Sequence, residues 1–223
     1  MSIRKRIILI FFSTMVPAIL LINIAFGLFF QNYILRQEQQ EILLKHEILS
    51  TYLSQKENAY LGSVNDWAHW DDTYQYIINR NPDYITANFQ TDTFVNLDLS
   101  FAVFVNESSQ IINKYYYDFT IDSLTEFPSH FTEDFESIVQ LPVFDGDTYG
   151  IHKIGSNYYF LAASGVTDSN KQNKTNSTMI FGRIIDQSMI ESIESTSGCS
   201  VTLSAVELST ENILQTETAQ FKP

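Results

Sequence analysis

From Ile7 to Phe30 the chain carries no charge for 24 residues, and only Ser13, Thr14, Pro17 and Asn23 interrupt the apolar run. In lipid such a run can satisfy its backbone polar groups only as a helix. At 1.5 Å per residue it reaches roughly 36 Å, beyond the ~30 Å hydrocarbon core of a bilayer. Arg4, Lys5 and Arg6 precede it, which keeps that end in the cytoplasm and sends the rest outside. A cleaved signal peptide is the rival reading, with Ala25-Phe26-Gly27 as a poor small-x-small site. Its apolar core would exceed the usual length. Both routes export the body of the protein, so the expectation is a single-pass cell-membrane protein with residues 1–30 as basic tip and span.

All 26 acidic residues follow the span, together with ten of the 13 basic ones. So acidic a body cannot displace counterions from nucleic acid, nor lie flat on an anionic bilayer. Its plainest meaning is a soluble, self-repelling surface. Cys199 is the single cysteine, so the fold stands on its core without an intrachain disulfide. In its short apolar setting Cys199 reads as a small buried hydrophobe.

Residues 31–65 contain no proline, and their first glycine is Gly62. Ile42, Leu49, Leu53, Tyr60, Val64 and Trp67 recur at helical steps, with His46 and Lys56 interrupting the stripe. This predicts a long membrane-proximal helix of roughly 50 Å that pairs with a second copy of the chain, a homodimer. The alternative is packing on its own domain. The helix runs into Trp67–Tyr76 (WAHWDDTYQY), which holds both tryptophans of the protein. Continued as one helix, Trp67, Trp70, Tyr74 and Ile77 or Ile78 form an aromatic face, Asp71 borders it, and Asp72, Thr73 and Tyr76 turn elsewhere.

Asn81 caps and Pro82 starts a short helix to about Asn88. Strand-like runs follow at Leu97–Val105 and Gln110–Tyr117, joined by the turn Asn106–Ser109, then at Thr148–Ile154, Tyr158–Ser164 and Thr178–Ile185. Gly155-Ser156-Asn157 makes a tight turn, residues 118–142 a loop with a short helix near Thr132–Val139, and the polar stretch 167–177 a mobile loop. Asp186 caps a last helix that ends near Gly198, and Cys199–Leu203 reads as a short strand. The fold class is α+β: a transmembrane helix and stalk leading into a PAS/Cache-like domain (66–205) with an antiparallel sheet of about five strands, then a C-terminal segment (206–223).

An N-terminal span, a long helix, Trp67-x-x-Trp70-Asp71-Asp72-Thr73-Tyr74, and later Phe181-Gly182-Arg183-Ile184-Ile185-Asp186 before a helix together resemble the type-4 CHASE domain. That family is an extracellular sensor module of bacterial and archaeal membrane receptors, and the resemblance covers about residues 35–205. The aromatic-acid motif is fairly specific; the G-R-x-x-D element has meaning only in its place after a strand. In such receptors a second span and a histidine kinase or diguanylate cyclase usually follow. This chain stops at Pro223 without them, so it resembles the input half of a receptor, either truncated or a stand-alone anchored sensor, and the departure puts any output activity in doubt.

For a small-molecule ligand the candidate residues are Trp67, Trp70, Asp71, Asp72, Tyr74, Tyr116, Tyr159 and Arg183. The acids and rings suit a cation, through charge and cation–π contact. Tyr116 and Tyr159 count only if the sheet's inward face lines the pocket. The plainer reading makes the tryptophans core anchors and one aspartate a tie to backbone groups or to Arg183. As a core anchor, Trp70 would cost about 3–5 kcal/mol on truncation to alanine. His69-x-Asp71-Asp72 lacks metal-ligand spacing on a helix, no cysteine pair supports zinc, and no glycine loop cradles phosphate. Neither metal nor cofactor nor catalysis is expected. Glycan-acceptor patterns occur at Asn106, Asn173 and Asn176. Two functions remain: a signal-input module whose ligand shifts the long helix, with the lipid bilayer and a ligand as partners, or an anchored surface binding protein that does not switch.

Overall fold

The computed structural model describes residues 3–128, 131 and 148–204. The helix expected near 132–139 and the segment 206–223 lie outside the described residues. Two compact units divide the chain: Met1–Thr51 with Thr196–Gly198, and Tyr52–Ser195 with Cys199–Pro223.

A single helix, α1 (Ile3–Ala68), begins in the first unit and ends in the second. Within the first unit it contains an 18-residue window of mean hydropathy 2.5 with none of its surface buried by protein. This helix is long and apolar enough to cross a membrane. Ile42, Leu43 and Leu44 beyond it are also exposed, Ile42 by 53%.

In the second unit, α1 is followed by α2 (Asp71–Asn79), α3 (Pro82–Asn88) and α4 (Thr91–Leu97). Six strands come next: β1 (Phe101–Val105), β2 (Ile111–Asp118), β3 (Ser123–Thr125), β4 (Thr148–Ile154), β5 (Asn157–Thr167) and β6 (Lys174–Ile184). They form one sheet in the order β3-β2-β1-β6-β5-β4, antiparallel throughout. The chain closes with α5 (Gln187–Ser197). This is an α+β domain, with its first and last strands, β1 and β6, paired at the centre.

Several turns and caps follow the sequence signals. Asn81 accepts a hydrogen bond from the Asp83 N–H and Pro82 opens α3. Asn106 accepts from the amides of Ser108 and Gln110, closing the β1–β2 hairpin. Asp186 Oδ1 accepts from the Met189 N–H at the start of α5, and Gly198 takes a positive φ at its end.

Other expectations give way. Trp67–Tyr76 is not one helix: α1 stops at Ala68, and Trp70 sits extended (φ −96°, ψ 136°) as the N-cap residue of α2. Asp71 and Asp72 then occupy the first turn of α2, where carboxylates are stabilised by the helix dipole. The break rotates the buried face to Thr73, Tyr76 and Ile77, two of which were expected to turn away. Residues 97–100 leave the first predicted strand, Leu97 and Asp98 for the end of α4 and its cap. A sixth strand, β3, emerges from the expected loop. Residues 167–177 are partly ladder: β5 runs to Thr167 and β6 starts at Lys174, leaving a turn of six residues tied by Asp168 to the amides of Gln172 and Asn173. Cys199–Leu203 forms no strand, since the Val201 N–H turns back to the Glu194 carboxylate. Cys199 is half-buried rather than buried.

Register assigns every strand residue to a face. Ala102, Phe104, Tyr115, Phe160, Ala162, Met179 and Phe181 face one way. Here Tyr60 of α1 meets Phe160 (ring centroids 5.8 Å), Trp67 meets Phe181 (6.2 Å) and Tyr76 of α2 meets Phe104 (5.4 Å). Tyr60 and Val64, drawn into the expected dimer stripe, are thus buried on their own sheet. The opposite face carries Phe101, Val103, Ile180, Leu161 and Tyr159, packed with Phe131 into a second apolar layer. A sheet covered on both faces explains why all five residues of β1 are buried.

Candidate functional site

The eight residues singled out from the sequence fall on both sides of the sheet. Trp67 and Tyr74 are half-buried among the helices. Trp67 packs edge-on to Phe89 and Trp70. Trp70 itself is 39% exposed, which rules out a core anchor. Asp71 Oδ1 accepts the Ser169 N–H at 2.8 Å, tying α2 to the β5–β6 turn, while Asp72 is exposed. The backbone tie expected of one aspartate therefore belongs to Asp71, and Arg183 has other partners.

Arg183 is buried on the helix-facing side. Its Nε donates to Asp98 Oδ1 (2.7 Å), and its Nη1 to Asp186 Oδ2 (2.8 Å) and the Ile184 carbonyl (2.7 Å). The guanidinium lies 3.9 Å from the Phe119 ring centroid. Burial opposes its charge, but Asp98 and Asp186 outweigh that and hold its pKa above the usual value. Asp98, at the αL residue ending α4, also receives the Tyr60 hydroxyl (3.0 Å) and Lys56 (3.5 Å) from α1. Burial first, and Asp98 second, push the Tyr60 phenol up, so it stays a neutral donor. The arrangement binds sheet, α4 and α1 together. Its chemistry is structural clamping, with Nε and Nη1 of the guanidinium directed at protein acceptors. Asp98 carried no sequence signal, because nothing in its neighbours separates it from any other helix-ending aspartate.

Tyr116 and Tyr159 lie on the far face, so they cannot share a pocket with Trp67, Trp70 or Arg183. With Phe101, Phe127 and Phe131 they form a ring cluster whose centroids stand 4.8–5.8 Å apart. Gly182 makes room for it: a Cβ there would stand 2.2 Å from the Phe101 ring, which lies over β6. Tyr159 is fully buried, and its hydroxyl has no hydrogen-bond partner among the described residues. The Tyr116 hydroxyl and the Asn157 side chain stand close enough to act on it. Burial pushes both phenols up and keeps them protonated. His152 faces Tyr159 across β4–β5, and burial lowers its imidazole below the usual 6.5. Phe101, Phe127, Phe131 and Asn157 were missed from the sequence; only period-2 alternation from Tyr159 could have found Asn157.

Several known proteins are similar to this chain. A match of 24% identity over 157 residues joins the chain to the methanogenesis regulatory histidine kinase FilI of Methanothrix harundinacea, covering 69% of this chain. The chain spans only 18% of that relative's length. Among solved structures, the extracellular domain of the histidine kinase designated vpHK1S-Z8 superposes with a TM-score of 0.49 at 12% identity, covering 71% of this chain and 63% of that one. The sensor domain of the Vibrio cholerae histidine kinase DctB gives 0.47 at 9%, covering 74% and 60%. The periplasmic domain of Vibrio cholerae LuxQ gives 0.47 at 8%, covering 72% and 70%. Residues 52–204 match the CHASE4 domain, from the part of α1 that packs on the sheet to the end of the described residues, and the chain belongs to the CHASE4 domain family.

Proposed function

We propose that this chain is the extracytoplasmic input module of a membrane signal-transduction receptor, a binding domain rather than a catalyst. It takes a small ligand outside the cell and passes the event to the bilayer through α1. The observation that carries the reading is the double membership of α1. One unbroken helix contains the candidate span and also Tyr60, Val64 and Ala68, which are buried on the sheet. A ligand that shifts the sheet or its helices changes the free energy of α1 positions by as much as it discriminates between them. The relative FilI, a regulatory histidine kinase, suggests the class of output such an input would serve.

Pairing of two copies through α1 belongs to the same reading. Tyr60 and Val64 are spent on the domain's own sheet, so the pairing stripe is confined to Ile42, Leu49 and Leu53.

Topology is tested with a single reporter thiol. In a Cys199→Ser background, Lys171→Cys in the exposed β5–β6 turn should react with a membrane-impermeant maleimide in intact cells. Labelling only after lysis puts the domain in the cytoplasm and ends the proposal. Ligand binding is tested by a thermal-shift screen of the chain in nanodiscs against amines, amino acids, carboxylates and neutral carbonyl compounds. A ligand at a hundredfold excess over its dissociation constant adds about 2.7 kcal/mol.

A further inference from the structure

Four residues break the apolar run inside α1, and they differ in what they leave unmet. Ser13 Oγ and Thr14 Oγ1 donate to the Ile10 carbonyl of their own helix (2.9 and 3.0 Å), which spends the one donor each hydroxyl owns. Pro17 brings no donor at all. Asn23 is different. Its Nδ2 donates to the Ile19 carbonyl at 2.8 Å, but an amide nitrogen carries two hydrogens. The second hydrogen and the side-chain oxygen meet no partner among the described residues. Asn23 precedes Phe30 by seven residues, so it lies about 10 Å inside the end of the run. Its side chain is too short to carry the amide to the headgroups as lysine or arginine would. In hydrocarbon, polar groups left in this state are costly.

We propose that Asn23 joins two copies of this chain within the bilayer, each carboxamide giving its free N–H to the Oδ1 of the other. The inference rests on α1 spanning the membrane, and it adds to the stalk pairing a contact inside the lipid. An amide with one donor and one acceptor to spare is its own complement, so a two-fold axis between the copies satisfies both with two reciprocal bonds. A hydroxyl that has spent its donor can only accept, and a pair of them is not self-complementary. Two copies also hold their Asn23 side chains at one depth, because identical residues flank each span. Gly27, one turn along the same face, has nothing within 4 Å of where a Cβ would stand, and the missing side chain lets a second backbone come close. Val16, Leu20 and Phe30 share the face at helical steps from Asn23, and each is more than half exposed. They supply apolar packing on either side of the amides. Counted at about 100° per residue, Ile42 and Leu49 lie about a quarter turn round the helix from Asn23. The lipid contact is therefore separable from the stalk stripe.

The test uses the full chain in liposomes, in the Cys199→Ser background. With a dye on Lys171→Cys, step photobleaching across a lipid dilution series gives the dimer fraction. Asn23→Leu should weaken dimerisation about tenfold, the scale of two interhelical hydrogen bonds. Asn23→Gln, which keeps the carboxamide, should stay within about twofold of the wild type. The contact face is read from single cysteines in the span, oxidised with copper phenanthroline in the membranes of expressing cells. Val16→Cys and Phe30→Cys, one heptad to either side of Asn23, should give disulfide-linked dimers, and Leu21→Cys and Leu28→Cys on the opposite face should not. Asn23→Leu should sharply reduce the Val16→Cys cross-link, whereas Ile42→Glu should leave it. The melting temperature of the sheet domain should be the same in every span variant. Dimerisation unchanged in Asn23→Leu, a wild type that stays monomeric, or cross-links confined to Leu21→Cys and Leu28→Cys overturns the proposal. A cross-link lost in Ile42→Glu and kept in Asn23→Leu also overturns it, and assigns the pairing to the stalk. Labelling of Lys171→Cys only after lysis removes the span itself, and this inference with it.

Discussion

Asp98 joins three elements through one carboxylate, and removing it in two steps separates its charge from its hydrogen bonds. Asp98→Asn keeps an acceptor for Tyr60 and tolerates the left-handed backbone at this position (φ 53°). What it loses is the charge opposite Arg183 at 2.7 Å and Lys56 at 3.5 Å. Charge-assisted hydrogen bonds are roughly twice as strong as neutral ones. Arg183 keeps Asp186 and the Ile184 carbonyl, and the Asp98 side chain is 41% exposed, which lets water screen the pair. The loss should be about 1–2 kcal/mol. Asp98→Ala also orphans the Arg183 Nε–H and the Tyr60 hydroxyl, at about 1–3 kcal/mol each, and forces alanine into a left-handed conformation for about 1 kcal/mol more. Its total should reach about 4 kcal/mol. Urea unfolding of the wild type and both variants, compared at equal m-values, reads these differences. In a domain of this size each kcal/mol lowers the melting temperature by about 2–4 °C. If alanine and asparagine cost the same within about 0.5 kcal/mol, the clamp is ornamental and the reasoning fails.

Gly182→Ala should destabilise the domain by about 3 kcal/mol, because the new Cβ would stand 2.2 Å from the Phe101 ring; a melting temperature within 2 °C of wild type, by the scaling above, refutes the close approach. Trp70→Ala, at a side chain 39% exposed, should cost well under the about 3–5 kcal/mol expected of Phe104→Ala in the buried face, a contrast that chemical denaturation of the two variants checks directly. His152 has its pKa lowered by burial, so the unfolded chain binds a proton more readily than the folded one. Stability from this group is complete above about pH 6.5 and declines as pH falls through the depressed folded value. His152→Gln should flatten the melting-temperature curve between pH 7.5 and 5.5, and an unchanged slope would mean that the imidazole is solvated.

The elements whose signals are local were legible in the sequence: the long apolar helix, the Asn81-Pro82 start, the β1–β2 and β4–β5 turns, and the Asp186 cap. Each depends on a few adjacent residues and needs no tertiary partner. The aromatic stretch misled because Trp67 to Tyr76 fits a helical period even though the chain breaks at Trp70. No proline or glycine marks the break; it follows from Asp71 reaching the Ser169 amide nearly a hundred positions later. The extension of β5 and β6 into the polar stretch was hidden for a similar reason. Lys174, Thr175 and Asn176 look like loop residues and are strand because β5 lies alongside. Of the candidate ligand residues, Tyr116 and Tyr159 were chosen by type and alternation. That the far face separates them from the tryptophans depends on strand order, which single-chain periodicity does not encode.

The pairing of β1 with β6 has a consequence for how the protein is made. Phe101–Val105, with every side chain destined for the interior, is synthesised about 70 residues before Lys174–Ile184 can lie beside it. Until then one edge of that hydrophobic strand is open to any other extended segment. Long-range closure of this kind is slow, so slowing the delivery of β6, or truncating the chain before it, should drive the nascent domain into aggregates.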